Sequence, residues 1–255
     1  VAGGAGSNFK AVNKTRLIAG DPADTFQLHA GLEVEGYSPE EYLEPIDDLY
    51  ASEGWEEAFP PDLLALLKAY GDHYWGVPVN IHRSNVLWYN EALMEQAGVQ
   101  PPTNFEEFFA AADTLKAAGI APYSFGNAGG WEAVHTLEDV LAGTCGADKY
   151  RGLWDGSVAW TDECVTAGLE NFQRMVGYAN TDYPALDWAG AAQNIVDGKA
   201  AMFIMGDWTD GFFTSKGFTG YGWAPTPGTQ GTFVALSDSF SLTKEAPNPE
   251  NARNW

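Results

Sequence analysis

The amino-acid sequence predicts an α/β protein, and three observations lead to that prediction. Amphipathic segments of helical period alternate along the chain with short runs of β-branched and aromatic residues. Gly or Pro stands at most of the points where one element should give way to the next. The 255 residues are 45% hydrophobic with ten Trp, so the chain can bury a core in one large domain or in two lobes.

Helix caps, glycine stops and apolar periodicity locate the individual elements. Before residue 76 the sequence predicts a flexible start over residues 1–7, a helix from Asn8 to Gly20, a strand over residues 23–31, and helices that begin at Ser38-Pro39 and at Pro60. After residue 90 it predicts helices over residues 91–97, 103–118, 131–141 and 191–197, and others that begin near residues 161, 208 and 249. Strands are predicted over residues 121–125, 200–205, 221–225 and 233–236.

The segment from Gly76 to Asn90 has apolar ends and a polar middle. Residues 77–79 and 86–89 have the composition of strands, whereas residues 80–85 are polar and include two potential cations. Two structures fit this pattern. One is a surface hairpin with a polar tip, and the other is an extended crossing between two cores whose centre borders a wet cleft. Spacing alone leaves both alternatives open.

The chain carries 13 Lys and Arg against 35 Asp and Glu, a formal net charge of −22. Such a surface repels phosphate backbones and anionic headgroups, so neither nucleic acid nor an anionic membrane is expected as the main partner. Cys145 and Cys164 have no histidine nearby at metal-ligand spacing, so we expect neither a zinc site nor another cofactor. The two cysteines are either buried thiols or a disulfide, and the sequence favours neither.

The sequence contains no Gly-x-Ser-x-Gly nucleophile motif and no histidine pair at metal-binding spacing. A glycosidase would need two carboxylates held ~5–9.5 Å apart. Asp24 and Asp238 are candidates for such a pair, but spacing in the sequence does not give their distance. We therefore expect no catalytic residues, and an enzyme is the weaker alternative.

Four segments stand out by their composition and their order along the chain: Gly20–Phe26, Trp75–Asn90, Gly198–Trp208, and the group of Pro225–Gly228, Leu236–Asp238 and Pro249–Ala252. Together they resemble the extracellular carbohydrate-binding proteins of ABC transporters, the superfamily that includes maltose-binding protein. Within that superfamily, Phe26–Gly31 is most similar to the glucose and galactose binders.

The resemblance implies a two-lobed periplasmic-binding-protein type II fold, incomplete at the N- and C-terminus. It assigns residues 1–82 to an N-lobe, residues 83–235 to a C-lobe, and residues 236–255 to a return into the N-lobe. Family members begin with a strand and a helix that would precede Val1. They also continue for on the order of a hundred residues beyond Trp255, and both parts are expected to add sugar contacts.

The implied function is that of the substrate-binding component of an ABC sugar importer. Such a protein binds a monosaccharide such as glucose or galactose in the cleft between its lobes and presents it to the membrane permease. The alternatives are a glycosidase and a sensory sugar receptor of the same fold. The expected partners are a small-molecule sugar and the permease subunits, with no nucleic acid, and the expected state is a monomer. The expected location is periplasmic or extracellular, with or without a lipid anchor, and the signal segment would lie outside this chain.

Sugar recognition combines aromatic faces, which cover C–H patches, with amide, carboxylate and imidazole groups, which satisfy hydroxyls. On this chemistry and on the family positions, the expected sugar-binding residues are Gln27, His29, Arg83, Trp131, Trp188, Trp208 and Asp238. Trp208, in a Gly-Asp-Trp turn, is the expected stacking aromatic. Trp131 at a helix start and Trp188 in a loop fit a second aromatic and core packing equally well.

Four other polar residues are expected to lie outside the set of sugar contacts. Strand alternation turns Asn80 and His82 to the side opposite Arg83, so these two are expected to brace the hinge instead of binding sugar. His73 and His135 have no comparable context and are expected on the surface or in a helix.

Overall fold

The structure, a computed structural model, describes residues 7–255. Most of the predicted flexible start, residues 1–6, lies outside the described residues, whereas Ser7 already begins the first helix. The chain forms two compact units. The first runs to His82 and resumes at Ala235–Trp255, and the second is Arg83–Val234.

Helices and strands alternate, which confirms the predicted α/β class. The helices are α1 (Ser7–Ile18), α2 (Pro39–Tyr42), α3 (Asp47–Glu53), α4 (Trp55–Ala58), α5 (Pro61–Leu67), α6 (Glu91–Ala97), α7 (Phe105–Ala117), α8 (Trp131–Cys145), α9 (Ala147–Asp155), α10 (Glu163–Val176), α11 (Trp188–Val196), α12 (Trp208–Ser215) and α13 (Pro249–Asn254). The strands are β1 (Thr25–His29), β2 (Val77–Pro78), β3 (His82–Arg83), β4 (Val86–Asn90), β5 (Ala121–Ser124), β6 (Ala200–Ile204), β7 (Tyr221–Pro225), β8 (Ala235–Leu236) and β9 (Asp238–Leu242). Short 3-10 helices cover Leu32–Tyr37 and Tyr183–Ala185.

The first unit is built on an antiparallel sheet of strand order β1-β9-β2. The central strand, β9, is not among the strands predicted from the sequence. Phe26 and Leu28 of β1 are buried in the core beneath α1. Because side chains alternate along a strand, the residues between and after them, Gln27 and His29, face away from that core. The pleat of β1 therefore presents two polar side chains at the sheet surface.

The second unit contains a mixed sheet of order β5-β6-β4-β7, in which β5 and β6 are parallel and the other pairs are antiparallel. Every residue of β6 is buried because apolar layers cover both faces of the sheet. Met202 and Ile204 pack into one core with α7, and Phe203 and Met205 pack into the other with α11. The end of β6 is thus held from both sides, directly before the turn that leads to Trp208.

Helices α8 and α10 pack against each other beside this sheet. Cys145 at the end of α8 and Cys164 in the first turn of α10 form a disulfide, which decides between the two alternatives that the sequence left open. The short helix between them, α9, is absent from the sequence prediction. Within residues 7–255, no helix is long and apolar enough to cross a membrane.

The segment from Gly76 to Asn90 does not form a hairpin. β2 pairs with β9 in the first unit, whereas β4 pairs with β6 and β7 in the second, so its two ends lie in different sheets. The chain passes from the first unit to the second after His82 and returns after Val234. The short strands β3 and β8 pair with each other. The hairpin alternative is therefore wrong, and the assignment of lobes to residues stays a prediction.

Candidate functional site

In the first unit, three of the expected sugar-binding residues come together around one carboxylate. Asp238 begins β9, directly opposite His29 at the end of β1. The Gln27 side-chain amide donates to Oδ1 of Asp238 at 2.6 Å, and Nε2 of His29 lies 3.5 Å from the same oxygen. The Asp238 side chain is only 17% exposed, so its carboxylate is held by these neighbours at the edge of the solvent.

Asn80 and His82 belong to the same cluster. The Asn80 amide donates to Oδ2 of Asp238 at 2.7 Å, and its carbonyl accepts from the Asp238 backbone N–H at 2.8 Å. Nε2 of His82 lies 3.6 Å from Oδ2. Asn80 and His82 thus contact the same carboxylate, although only His82 and Arg83 belong to β3. The structure therefore groups Asn80 and His82 with Asp238 and separates them from Arg83.

Glu33 extends the cluster through the other ring nitrogen of His29. Nδ1 of His29 lies 2.5 Å from one Glu33 oxygen, and the Lys10 ammonium lies 2.7 Å from the other. Burial raises the pKa of Glu33, but the hydrogen bonds and charges of His29 and Lys10 outweigh it and lower that pKa to about 2. Glu33 is therefore ionised at neutral pH and fixes the orientation of the His29 ring.

The cluster of Gln27, His29, Asn80, His82 and Asp238, which we call the polar cluster, combines two amides, two imidazoles and one carboxylate. Amides and imidazoles both donate and accept, and the carboxylate accepts at each oxygen. This set suits a ligand with several hydroxyl groups, each of which donates and accepts in turn. Within residues 7–255, no group of three or more His, Cys, Asp or Glu side chains is arranged to hold a metal ion.

In the second unit, two of the expected tryptophans lie together. The Trp131 and Trp208 rings are 6.4 Å apart between centroids, and the His135 ring lies 5.5 Å from Trp208 with its edge towards it. Both indoles are half-buried. Each therefore packs partly on the unit's core and keeps some surface for a ligand. We call these three residues the aromatic cluster.

Gly206 explains the position of the Trp208 ring. A Cβ atom on Gly206 would lie 2.2 Å from the indole, far inside van der Waals contact. The ring is therefore folded back over the glycine backbone, which only a residue without a side chain permits.

Arg83 lies in the second unit, where its guanidinium has partners already. Its Nε donates to the Asn85 side-chain carbonyl and one terminal nitrogen donates to the Thr232 backbone carbonyl, both at 3.3 Å. The guanidinium carbon lies 5.6 Å from the centre of the Phe233 ring. The Arg83 side chain therefore links residue 85 of the outgoing segment to residues 232 and 233 of the returning segment.

Trp188 was expected in a loop, but it occupies the first position of α11. Its ring contacts that of Phe212, at 5.7 Å between centroids and an interplanar angle of 65°. Asp187 caps the helix by accepting from the Gly190 N–H at 2.8 Å, which explains why the helix begins here. Trp188 packs on the same core as the aromatic cluster, but its ring contact is made elsewhere.

His135 is in a helix, as expected, but sequence reasoning missed its surroundings. It is buried in α8, with Nδ1 3.2 Å from the Ser84 hydroxyl. The same hydroxyl donates to the buried carboxyl of Asp139 at 3.2 Å. Burial raises the pKa of Asp139 well above its usual range and lowers the pKa of His135 to about 4, so it disfavours the charged form of both groups. His73, by contrast, is exposed and lies 2.9 Å from Asp47.

Comparison with known proteins identifies the family to which the chain belongs. The model for bacterial extracellular solute-binding proteins matches residues 1–255. An uncharacterised ABC transporter extracellular-binding protein of Pyrococcus horikoshii is 35% identical over 260 residues, covering 100% of this chain and 58% of that protein. A probable sugar-binding periplasmic protein of Brucella suis is 31% identical over 250 residues, covering 96% of this chain and 58% of that protein.

A solved structure of the bacterial solute receptor AcbH, described as having an exclusive substrate preference for β-D-galactopyranose, has a TM-score of 0.82 to this chain. It is 24% identical and is matched over 96% of this chain and 64% of its own. At 24% identity, the structural similarity to AcbH is evidence for the fold alone. Together with the family match, it confirms the predicted type II solute-binding fold class. The chain spans about 58% of the length of the curated relatives described above. Because the family model matches all of residues 1–255, the chain belongs to the bacterial extracellular solute-binding protein family.

Proposed function

We propose that this chain is the greater part of the sugar-binding component of an ABC importer. The observation that carries the proposal is the polar cluster, in which amides and imidazoles converge on the half-shielded carboxylate of Asp238. A buried hydroxyl partner left unpaired costs about 1–3 kcal/mol, so a ligand with matching hydroxyls is selected strongly. The aromatic cluster supplies the second requirement, a flat face for sugar C–H groups.

The proposed ligand is a neutral monosaccharide such as glucose or galactose. The galactopyranose preference of AcbH and the sugar-binding description of the Brucella relative support this class. The charge of this chain supports a neutral ligand over an acidic sugar, because Asp238 and Glu33 would repel a carboxylate. In this proposal the two units are the lobes, and each cluster supplies the sugar contacts of its own unit.

The same proposal assigns a transport role. Sugar binding favours one conformation of the protein over the others, and permease subunits of the membrane recognise that conformation. The protein acts as a monomer in the periplasm or at the cell surface, with or without a lipid anchor. A sensory receptor of the same fold would bind sugar in the same way. It would differ only in the partner protein that recognises the sugar-bound form.

A glycosidase is disfavoured by the state of the carboxyl groups. A general acid needs a raised pKa at a position that substrate can reach. Burial raises the pKa of Glu132, Glu138 and Asp139. Glu132 and Asp139 are fully enclosed, and the half-buried Glu138 belongs to neither cluster. The pKa of Glu33, which contacts His29 of the polar cluster, is lowered instead. This distribution supports a receptor that binds without catalysis.

Calorimetry of the full-length protein with D-glucose, D-galactose, D-mannose and D-galacturonate tests the proposal. We expect heat with at least one of the neutral sugars and weaker or no binding of the uronate. Trp208→Ala should weaken that binding, while Trp154→Ala, which removes a 58% exposed tryptophan elsewhere in the second unit, should not. Absence of heat with all three neutral sugars would show that the monosaccharide assignment is wrong.

A further inference from the structure

Asp207 makes a reciprocal pair of hydrogen bonds with the backbone of Arg83. The Arg83 N–H donates to Oδ2 of Asp207 at 2.9 Å. The Asp207 N–H donates to the Arg83 carbonyl, also at 2.9 Å. Through its side chain and its own N–H, one residue thus satisfies both backbone groups of a residue 124 positions away.

Arg83 lies at the boundary of the second unit. It is the first residue after the chain leaves the first unit. Its neighbour Ser84 donates its N–H at 2.9 Å to the carbonyl of Val234, the last residue before the chain returns. The Asn85 side chain accepts from the Val234 N–H at 3.0 Å. The outgoing and returning segments are therefore bonded together where they meet the second unit, and Asp207 is bonded to them.

Asp207 is also the residue directly before Trp208. With the indole folded over the backbone of Gly206, the ring has little freedom to move independently of the turn. The direction of the indole therefore depends on the backbone of residues 206–208. That backbone is held at one end by the buried strand β6 and in the middle by the two bonds to Arg83.

We propose that Asp207 is a positioning residue for sugar binding, which ties the turn that carries Trp208 to the segment connecting the two units. The proposal rests on the sugar-binding function proposed above. A movement of the connecting segments displaces the backbone of Arg83, and Asp207 transmits that displacement to the indole. Sugar contact at Trp208 and the geometry of the connection are thereby coupled through one carboxylate.

Variants of the full-length protein test this role by calorimetry with D-glucose and D-galactose. Asp207→Ala removes the acceptor for the Arg83 N–H and should weaken sugar binding about tenfold. Asp207→Asn keeps a carbonyl acceptor and should retain affinity within about threefold. Asp155→Ala is the matched control, because the Asp155 carboxylate likewise accepts one backbone N–H, from Ser157 at 2.8 Å, in a turn of the same unit.

Tryptophan emission without sugar provides a readout that a purely structural role would not give. Asp207→Ala should change the emission of the sugar-free protein, and the change should vanish when the same substitution is made in a Trp208→Phe background. An emission change that persists in that background, or an Asp207→Ala variant with wild-type affinity, would overturn the positioning role. If the wild-type protein binds neither sugar, the proposed function fails, and the emission comparison still decides whether Asp207 orients Trp208.

Discussion

Asp238→Asn should weaken sugar binding far more than it weakens folding. The substitution keeps the size of the side chain but replaces one carboxylate oxygen with an NH₂ group. In the wild type, the Gln27 and Asn80 side-chain nitrogens donate to the two carboxylate oxygens at 2.6 Å and 2.7 Å. In the variant, the new NH₂ group would face one of these two donors, and that hydrogen bond would be lost. One charge-assisted hydrogen bond is worth about 1.5–3 kcal/mol. Because the neighbouring amides can rotate towards solvent at this rim, we expect a loss of only about 1 kcal/mol in the free energy of unfolding.

A sugar hydroxyl that donates to the same carboxylate has no comparable alternative once it is enclosed. Losing its charged acceptor should weaken binding by about ten- to a hundredfold. Calorimetry of the full-length protein gives the affinity, and urea unfolding gives the stability. Asp47→Asn is the matched control, since that carboxylate also pairs with a histidine of the first unit, His73, outside the polar cluster. Unchanged affinity in Asp238→Asn, or an equal loss in Asp47→Asn, would refute the assignment of Asp238 as a ligand contact.

Three further outcomes follow from the same structure. Replacing Cys145 and Cys164 together by Ala should lower the free energy of unfolding by about 3 kcal/mol, because the disulfide closes a loop of 19-residue separation. Urea unfolding against the oxidised wild type checks this, and the reduced wild type should match the variant. The pKa of Glu33 is about 2 in the folded state against an ordinary 4.5, so its stabilisation is complete above pH 4.5 and is lost as the pH falls towards 2. Glu33→Gln should therefore flatten the pH dependence of unfolding in that window. Lys10→Met, which removes one of the groups that lower this pKa, should move the midpoint of the loss to higher pH.

The elements that the sequence predicted best are those whose ends are specified locally. Helix α6 begins at Asn90, whose side chain accepts from the Leu93 N–H, and stops at Gly98 with a φ of 67°. Helix α7 begins in the same way at Asn104, which accepts from the Glu107 N–H. Both signals lie within a few residues of the helix they bound, so no tertiary information was needed to find them.

β9 was missed for the opposite reason. Its sequence, Asp238 to Leu242, begins with two polar residues and includes two serines, which favour strands weakly. The Ser239 and Ser241 side chains are nevertheless buried, because strands distant in sequence pair with β9 on both sides. The pairing that makes this segment a strand involves residues more than 150 positions away, and no local pattern contains it.

In the candidate site, too, some residues could be predicted from the sequence and others depend on contacts with distant segments. Gln27, His29 and Asp238 were predicted from a family resemblance, and the structure brings them together. The sequence gives no sign that the polar residues of α8 are buried, because a polar stripe at helical spacing ordinarily faces solvent. In α8 this stripe is buried, while Val134 on another face of the helix is 55% exposed. A buried stripe is stable only if its members are neutral or paired, and burial lowers the pKa of His135 to about 4 and raises the pKa of the neighbouring Asp139. What reverses the usual orientation of the helix is therefore a set of hydrogen bonds from distant segments, which a single sequence does not reveal.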